Sequence, residues 1–331
     1  MVDDNEILHS EIEKLSDFHY ANCMEYKTWL DNGVFPNWSD EDYFRLPYLP
    51  VRVFKEFELF SVDRSSIIQE LNSSGTGGAP SKIFLDKETS QMQQAAIRSS
   101  LIPYLGEKRL PYLVFDVDPR KNRSQVYSAR LAATLGFGSL GKNPTFILNE
   151  DFSIDLDILN DFIEKFGGDK FFAFGFTSVI WETIQKNPNL ISEPLSNGFL
   201  LHGGGWKKMT NVAVTREIFN ETVKNFFGFE TVKNYYGMIE QPGSIFIEDD
   251  EGWLCPTEFS QARIRRADNL KPTQEGEPGV VQVFSTLPKS YPGHSLLTED
   301  EGFFSMDGGK YRIKVTGRLP HAELRGCSDV Q

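Results

Sequence analysis

The stretch NSSGTGGAPSK, residues 72–82, crowds hydrogen-bond donors into one short loop. Ser73, Ser74 and Thr76 carry hydroxyls, Gly75, Gly77 and Gly78 let backbone N–H groups turn inward, and Lys82 adds a cation. A Walker loop counted from Gly75 needs its second glycine where Pro80 stands, and the dinucleotide fingerprint needs its third glycine at the same place. Both patterns also open a helix, whereas KIFL (82–85) reads as a strand. A loop between strands holds an anion only with its own N–H and hydroxyl groups, as a nest does. A solvated turn of the same composition is the competing reading.

LLHGGGWKK (200–208) ends a strand in His202, Gly203, Gly204 and Gly205. A His-Gly-Gly-Gly oxyanion loop demands a later Gly-x-Ser-x-Gly elbow. FGSLG around Ser139 lacks the first glycine and comes too early, and GHSLL around Ser295 lacks the last. A serine hydrolase is therefore set aside. Glu299, Asp300 and Glu301 in LLTEDEG (296–302) form an acidic run that on its own reads as a solvated turn.

The elements that must position these groups follow from hydrophobic period and breakers. Residues 6 to 31 read as one helix, with Ile7, Leu8, Ile12, Leu15 and Phe18 at roughly helical spacing. A Pro- and aromatic-rich connection wraps onward to about residue 60. SSIIQEL (65–71) is a strand entering the glycine loop, and a helix runs from near Thr89 to Gly106. LPYLVFDVD (110–118), KFFAFGFTS and GFLLHGGG are strands. SARLAATLGFG, DLDILNDFIEKFGGD and TREIFNETVKNFFG are helices, so residues 61–243 read as an α/β core. From about 244 to 316 the pattern turns to short strands with a hairpin signal at Asp307-Gly308-Gly309. Residues 317–331 form a short stub.

Composition bounds the function. The 331 residues hold 34 Lys and Arg against 47 Asp and Glu, a net charge of −13 that disfavours nucleic acid and anionic membranes as partners. Twenty-seven phenylalanines fit a large aromatic core, and some could line a pocket for a long apolar ligand. No run approaches a membrane span, and the acidic N-terminus lacks the features of a signal peptide. Cys23, Cys255 and Cys327 are few and widely spaced, which fits reduced thiols in the cytoplasm.

In order along the chain, SSGTGGAPSK, LLHGGGWKK, YYGMIEQPG (235–243), LLTEDEG and TGRLPHAELRGCSDVQ (316–331) resemble the stations of the adenylate-forming superfamily. With LPVRVFKEFEL and YPGHSLLTEDEG, they are similar to the acyl-protein synthetase (LuxE-type) family over about residues 45–331. The resemblance implies an α/β fold, the large N-terminal domain of adenylate-forming enzymes. That domain has mixed sheets layered with helices plus a β-rich C-terminal part, and the mobile C-terminal domain is essentially absent. It implies ATP and Mg2+ as cofactors. Residues Ser73–Gly78 would clamp the triphosphate and His202–Gly205 would form the adenine turn. Tyr236, followed by Gly237, would stack on adenine, and Glu240 would hold the metal. Asp300 would take the ribose hydroxyls, and Lys82 and Arg318 the phosphates. Gly77, Ile239 and Glu299 depart from the family pattern at positions usually Thr, Thr and Gly. Ile239 leaves the α-phosphate to Ser244 or a backbone N–H.

The activity so implied is ATP-dependent activation of a carboxylic acid, in the family a fatty acid, followed by transfer of the acyl group to a thiol. Cys327, in RGCSD, matches the family's acyl-accepting cysteine, and a small inert residue is the bland alternative for it. Cys23 and Cys255 read as core. A partner reductase or carrier protein is the implied acceptor. Phe174, Phe176 and Trp181 are candidates for lining an acyl channel. The alternatives are an acyl- or aryl-CoA ligase and, from another class, a nucleotide- or acyl-binding scaffold without catalysis.

Overall fold

Between Leu110 and Tyr236 the described strands and α-helices alternate. A computed structural model describes residues 4–33, 43, 45–73, 79–120, 129–189, 193–206 and 212–319. The described residues up to Ala96 gather with those from Gly237 to Leu319 into one compact unit, and those of Ile97–Tyr236 form a second. The linear division expected at 60, 243 and 316 therefore differs from the spatial one. The N-terminal segment joins the β-rich part because β1 (Leu49–Pro50) pairs in parallel with β13 (Ser295–Asp307), Leu49 opposite Leu296.

The second unit runs β4 (Leu110–Val117), α5 (Ala129–Gly138), β5 (Gly141–Leu148), α6 (Leu156–Phe166) and β6 (Phe171–Phe176). It continues through α7 (Thr177–Lys186), β7 (Gly198–Gly203) and α8 (Arg216–Phe227) to β8 (Thr231–Tyr236). The strands form a parallel sheet in the order β5-β4-β6-β7-β8. Parallel strands covered on both faces read as unbroken apolar runs, and FFAFGF in β6 is buried at every position. Phe172 and Phe174 meet Tyr112, Phe137 and Tyr235 on the α5 face. Phe171 meets Phe162 of α6 and Phe229 on the other.

Two elements escape the pattern reading. β5 contains Pro144 and a positive φ of 53° at Asn143, so it looks like a turn; as an edge strand it tolerates both. α7 begins directly at Thr177, inside the stretch expected to continue as strand. Phe174, Phe176 and Trp181 are buried within this unit, Phe174 against Phe137 and Trp181 against Phe219.

The first unit carries the antiparallel strands β11 (Ser260–Arg265), β12 (Gly279–Ser285), β13, β14 (Lys310–Arg318), β10 (Leu254–Cys255) and β9 (Phe246–Glu248), hydrogen-bonded in that order. Gly308 and Gly309 take φ of 54° and 82° at the β13–β14 hairpin, as the Asp-Gly-Gly signal predicts. β2 (Ile67–Asn72) and β3 (Lys82–Asp86) form a separate antiparallel ribbon, followed by α4 (Lys87–Leu105). α3 (Val53–Glu56) is a single turn after β1.

The expected N-terminal helix is two, α1 (Asp4–Asn22) and α2 (Met24–Asn32), because Cys23 turns extended at φ −121° and ψ 111°. Leu8, Ile12 and Leu15 are buried as anticipated, while Ile7 and Phe18 are exposed. α1 is anchored by a pair of buried imidazoles, His19 and His294, stacked 4.8 Å apart. His19 Nε2 donates to the Pro288 carbonyl at 3.1 Å, which leaves Nδ1 to accept from the Ser61 hydroxyl at 2.7 Å. His294 Nε2 lies 2.9 Å from Ser16 Oγ and 3.2 Å from Tyr26 OH.

Burial lowers His19 to about 3, and burial with the neighbouring His19 ring drives His294 well below 6.5. The unfolded chain therefore takes up protons first, and the stability these rings contribute, complete above pH 6.5, is lost as pH falls toward 3. On lowering the pH from about 7 to about 5, each neutral ring withdraws on the order of 2 kcal/mol of stability. The thermal midpoint falls accordingly across that range, and substituting His19→Gln and His294→Gln together flattens the dependence. A midpoint whose pH slope is unchanged by the substitutions would refute the assignment.

Candidate functional site

The groups singled out in the sequence fall in both units. In the parallel unit, β4 leads to β5 on one side and the chain then returns to β6 on the other, so the strand order reverses between β4 and β6. Open parallel sheets bind ligands outside the carboxyl ends of their strands, near such a reversal. Gly203 ends β7 and Tyr236 ends β8, so the glycine turn and its tyrosine lie at that edge.

Gly203 is demanded by a neighbour within the protein. A Cβ there would fall 2.3 Å from the ring of Tyr235, which covers it. Tyr235 and Tyr236 point to opposite faces of β8, as successive strand residues must. Both are half-buried, and the Tyr235 ring packs against Phe137 and Phe174. Gly204 adopts φ +78°, a conformation that favours glycine, and Gly205 is exposed, with open space around its Cβ position. Gly237 follows as an exposed residue of the next loop.

His202 points away from that turn into the layer beneath it. Thr177 Oγ1 donates to the Gly203 carbonyl at 3.1 Å and lies 2.9 Å from His202 Nδ1. With the hydroxyl proton committed to the carbonyl, Nδ1 carries the ring proton and the imidazole is neutral. Burial, with the Arg216 cation adding to it, lowers this histidine to about 3. Its ring packs on Phe219, and it supports the turn by fixing Thr177.

In the first unit the ribbon β2–β3 carries the glycine loop at its end. Ser73 N–H donates to the Ser81 carbonyl at 3.0 Å, and Ser73 Oγ accepts from Ser81 N–H at 2.7 Å. These bonds close the neck of the loop; Ser74, Gly75, Thr76, Gly77 and Gly78 lie outside the described residues, as does Cys327. Lys82 donates to Glu58 at 3.0 Å, a carboxylate that Arg64 also approaches. The pairing holds Lys82 above the usual lysine value, so its charge is secure.

Glu240 is 2% exposed. Tyr291 OH donates to its carbonyl at 3.0 Å, and Gln241 Nε2 donates to the Gly293 carbonyl at 2.7 Å. The turn carrying Glu240 is thus fastened to residues 291–293. A magnesium ion takes one or two protein carboxylates and completes its octahedron with water and phosphate oxygens, so a single buried carboxylate suits it. Among the described residues no group of three His, Cys, Asp or Glu comes together as an all-protein metal site. Ser244, considered as a phosphate contact, has its hydroxyl turned to Ser285 Oγ inside the core.

Asp300 and Arg318 are partners across β13 and β14. Arg318 Nε stands 3.5 Å from Asp300 Oδ1, and one terminal nitrogen of the fork stands 3.7 Å from Glu299 Oε2. Two groups picked from different motifs thereby form one partly buried ion-pair cluster. Composition carried no signal for the roles of Tyr235, Thr177 or Tyr291, because each depends on a neighbour distant in sequence.

Of the described cysteines, Cys23 is buried and its thiol is raised by burial. Cys255 is raised to about 11, by burial first and then by Asp249. Both are protonated at neutral pH and poor nucleophiles.

Gly203→Ala drives a methyl into the Tyr235 ring and destabilises the protein by about 1–3 kcal/mol. Gly205→Ala meets open space and leaves thermal stability within about 0.5 kcal/mol of the parent. Melting curves of the two variants check the contrast.

The family model for acyl-protein synthetase, LuxE, matches residues 3–331. The chain is 22% identical over 330 residues to the long-chain-fatty-acid–luciferin-component ligase of Vibrio harveyi, covering 94% of this chain and 83% of that protein. It is 22% identical over 325 residues to the ligase of the same name from Aliivibrio fischeri, covering 94% and 84%. Among solved structures, 2-hydroxyisobutyryl-CoA ligase in complex with 2-HIB-AMP and CoA superposes with a TM-score of 0.69 at 13% identity. That match covers 96% of this chain and 68% of the other. ATP-bound MatB from Rhodopseudomonas palustris superposes with a TM-score of 0.54 at 15% identity, over 78% of this chain but only 49% of its own length. The described residues contain no helix long and apolar enough to cross a membrane. The chain belongs to the LuxE acyl-protein synthetase family and has the fold of the adenylate-forming ligases.

Proposed function

We propose that this protein activates a fatty acid with ATP and passes the acyl group to a thiol. A carboxylate oxygen attacks the α-phosphorus and the bond to the β-phosphate breaks. Pyrophosphate leaves with the electron pair, and the acyl-adenylate remains. A thiolate then attacks the carbonyl carbon, the carbonyl–phosphate bond breaks, AMP departs, and a thioester is formed.

The obstacle in the first step is electrostatic, because one anion must approach a tetra-anion on a chain of net charge −13. Fixed donors aimed at the developing charge offset it. The loop Ser73–Gly78 supplies hydroxyl and N–H groups, Lys82 and Arg318 supply cations, and Glu240 is the carboxylate that would hold Mg2+. When bound, that ion neutralises phosphate charge and orients the leaving group. Asp300 accepts the ribose hydroxyls, Tyr236 stacks on the adenine, and His202–Gly205 shape the turn beside it.

The observation that carries the nucleotide reading is the approach of Asp300 and Arg318 to 3.5 Å. A diol acceptor and a phosphate-seeking cation, drawn from separate motifs, meet across one strand pair. For the thiol, the high values of Cys23 and Cys255 favour another sulfur, which is Cys327 or a cysteine of a partner reductase or carrier protein. The cytoplasm, where thiols stay reduced, suits that chemistry.

ATP–pyrophosphate exchange with a panel of fatty acids tests the first step. Exchange is expected with at least one long-chain acid, and Glu240→Gln or Arg318→Met lowers its rate by about 100-fold or more. ATP binding without exchange across the panel would instead indicate a nucleotide-binding scaffold. Labelling with radioactive acid tests the second step: Cys327→Ser abolishes the protein-bound label, and undiminished label would move the acceptor elsewhere. Acyl-CoA as the main product would favour the CoA ligase reading.

A further inference from the structure

Glu299 stands where the family pattern has glycine, and in this chain it lies between two arginines. Arg52 Nε is 3.6 Å from Glu299 Oε1, and a terminal nitrogen of Arg318 is 3.7 Å from Glu299 Oε2. The Glu299 side chain is 18% exposed and that of Asp300 14%, so these charges are only partly screened. The backbone around them is pinned. Leu319 N–H donates to the Glu299 carbonyl at 3.0 Å, Asp300 N–H to Thr298 Oγ1 at 3.1 Å, and Thr298 Oγ1 to the Val281 carbonyl at 2.7 Å. The backbone of both carboxylates is therefore fixed, and of the two arginines Arg318 approaches both.

A guanidinium is a planar fork that closes preferentially on one carboxylate in bidentate fashion. Arg318 instead divides its fork, with Nε toward Asp300 Oδ1 and a terminal nitrogen toward Glu299 Oε2. Arg52 holds Glu299 from the other side through its second oxygen. We infer that Glu299 is a positioning residue: it draws the Arg318 fork off Asp300, keeping that carboxylate available to the ribose hydroxyls of the nucleotide. The inference rests on Asp300 as ribose acceptor and on Arg318 beside it.

Glu299→Gln keeps the side-chain shape and removes the charge. The Arg318 fork then closes on Asp300 and competes with the diol. The readout is discrimination between ATP and 2′-deoxy-ATP, measured as the ratio of kcat/KM values in pyrophosphate exchange by the full chain. In the parent Asp300 prefers the intact diol. In Glu299→Gln the KM for ATP rises by about three- to tenfold while that for 2′-deoxy-ATP changes by less than about twofold, so the ratio collapses. Glu299→Asp retains the charge and restores most of the discrimination.

A loss of structure alone would weaken both nucleotides together, and that outcome, or an unchanged ratio in Glu299→Gln, overturns the inference. Failure of Glu299→Asp to recover discrimination also counts against it. Asp300→Asn separates the two levels of argument. If discrimination survives Asp300→Asn, Asp300 is not the ribose acceptor, and the inference falls with it. If Asp300→Asn removes discrimination but Glu299→Gln does not, the nucleotide reading stands and the role of Glu299 alone is refuted.

Discussion

The first unit is organised around a buried segment, Ser290–His294, most of whose polar groups are spent on distant parts of the chain. Ser290 N–H donates to Thr89 and its hydroxyl to the Phe84 carbonyl, while its own carbonyl accepts from Ser61 N–H. Tyr291 reaches Glu240, the Gly293 carbonyl takes Gln241, and His294 meets Ser16 and Tyr26. Ser290, Tyr291 and His294 are all 0% exposed. An unpaired polar group so deep would cost more than its hydrogen bond returns, so these contacts hold as a set. The segment thereby ties the N-terminal helices, the ribbon bearing the glycine loop, the Glu240 turn and the start of β13 to one another.

That knot explains how the turn carrying Glu240, proposed to hold the metal, keeps a fixed position although its backbone is irregular. Glu240 lies on a turn, but its carbonyl is anchored by Tyr291, and a Cβ on Gly293 would strike that carbonyl at 2.9 Å. Asp300 follows on β13, pinned through Thr298. Catalysis by preorganised charge needs this rigidity, since donors that must reorganise during the reaction lose most of their advantage. The parallel unit reaches the same end differently: Tyr235 fills the space above Gly203, and neutral His202 orients Thr177 beneath it.

The net charge of −13 imposes a second constraint. Lys82 and Arg318 are each balanced by a carboxylate, Glu58 and Glu299 with Asp300 respectively. Positive charge is thus kept close to the positions proposed for phosphate. Arg265, 1% exposed, is held by Gln282 and the Leu270 carbonyl and approaches Tyr48, a structural use of the same side chain.

Much of this protein was legible in its residues. Unbroken apolar runs such as FFAFGF announced buried parallel strands, Asp307-Gly308-Gly309 announced a hairpin, and the ordered motifs announced the family. Those signals are local, set by period, backbone freedom and side-chain chemistry. β5 and the start of α7 stayed hidden because Asn143-Pro144 imitates a turn and because strand passes into helix at Thr177 without a breaker. The break at Cys23 was likewise invisible, since no glycine or proline marks it. The tertiary structure alone decided that the described residues up to Ala96 fold with the β-rich part and that Tyr235 rather than Tyr236 covers Gly203. It alone brought Glu299, Asp300, Arg52 and Arg318 within ion-pair distance. Each of these depends on which side chains distant in sequence share one buried space, and spacing along the chain carries no record of that.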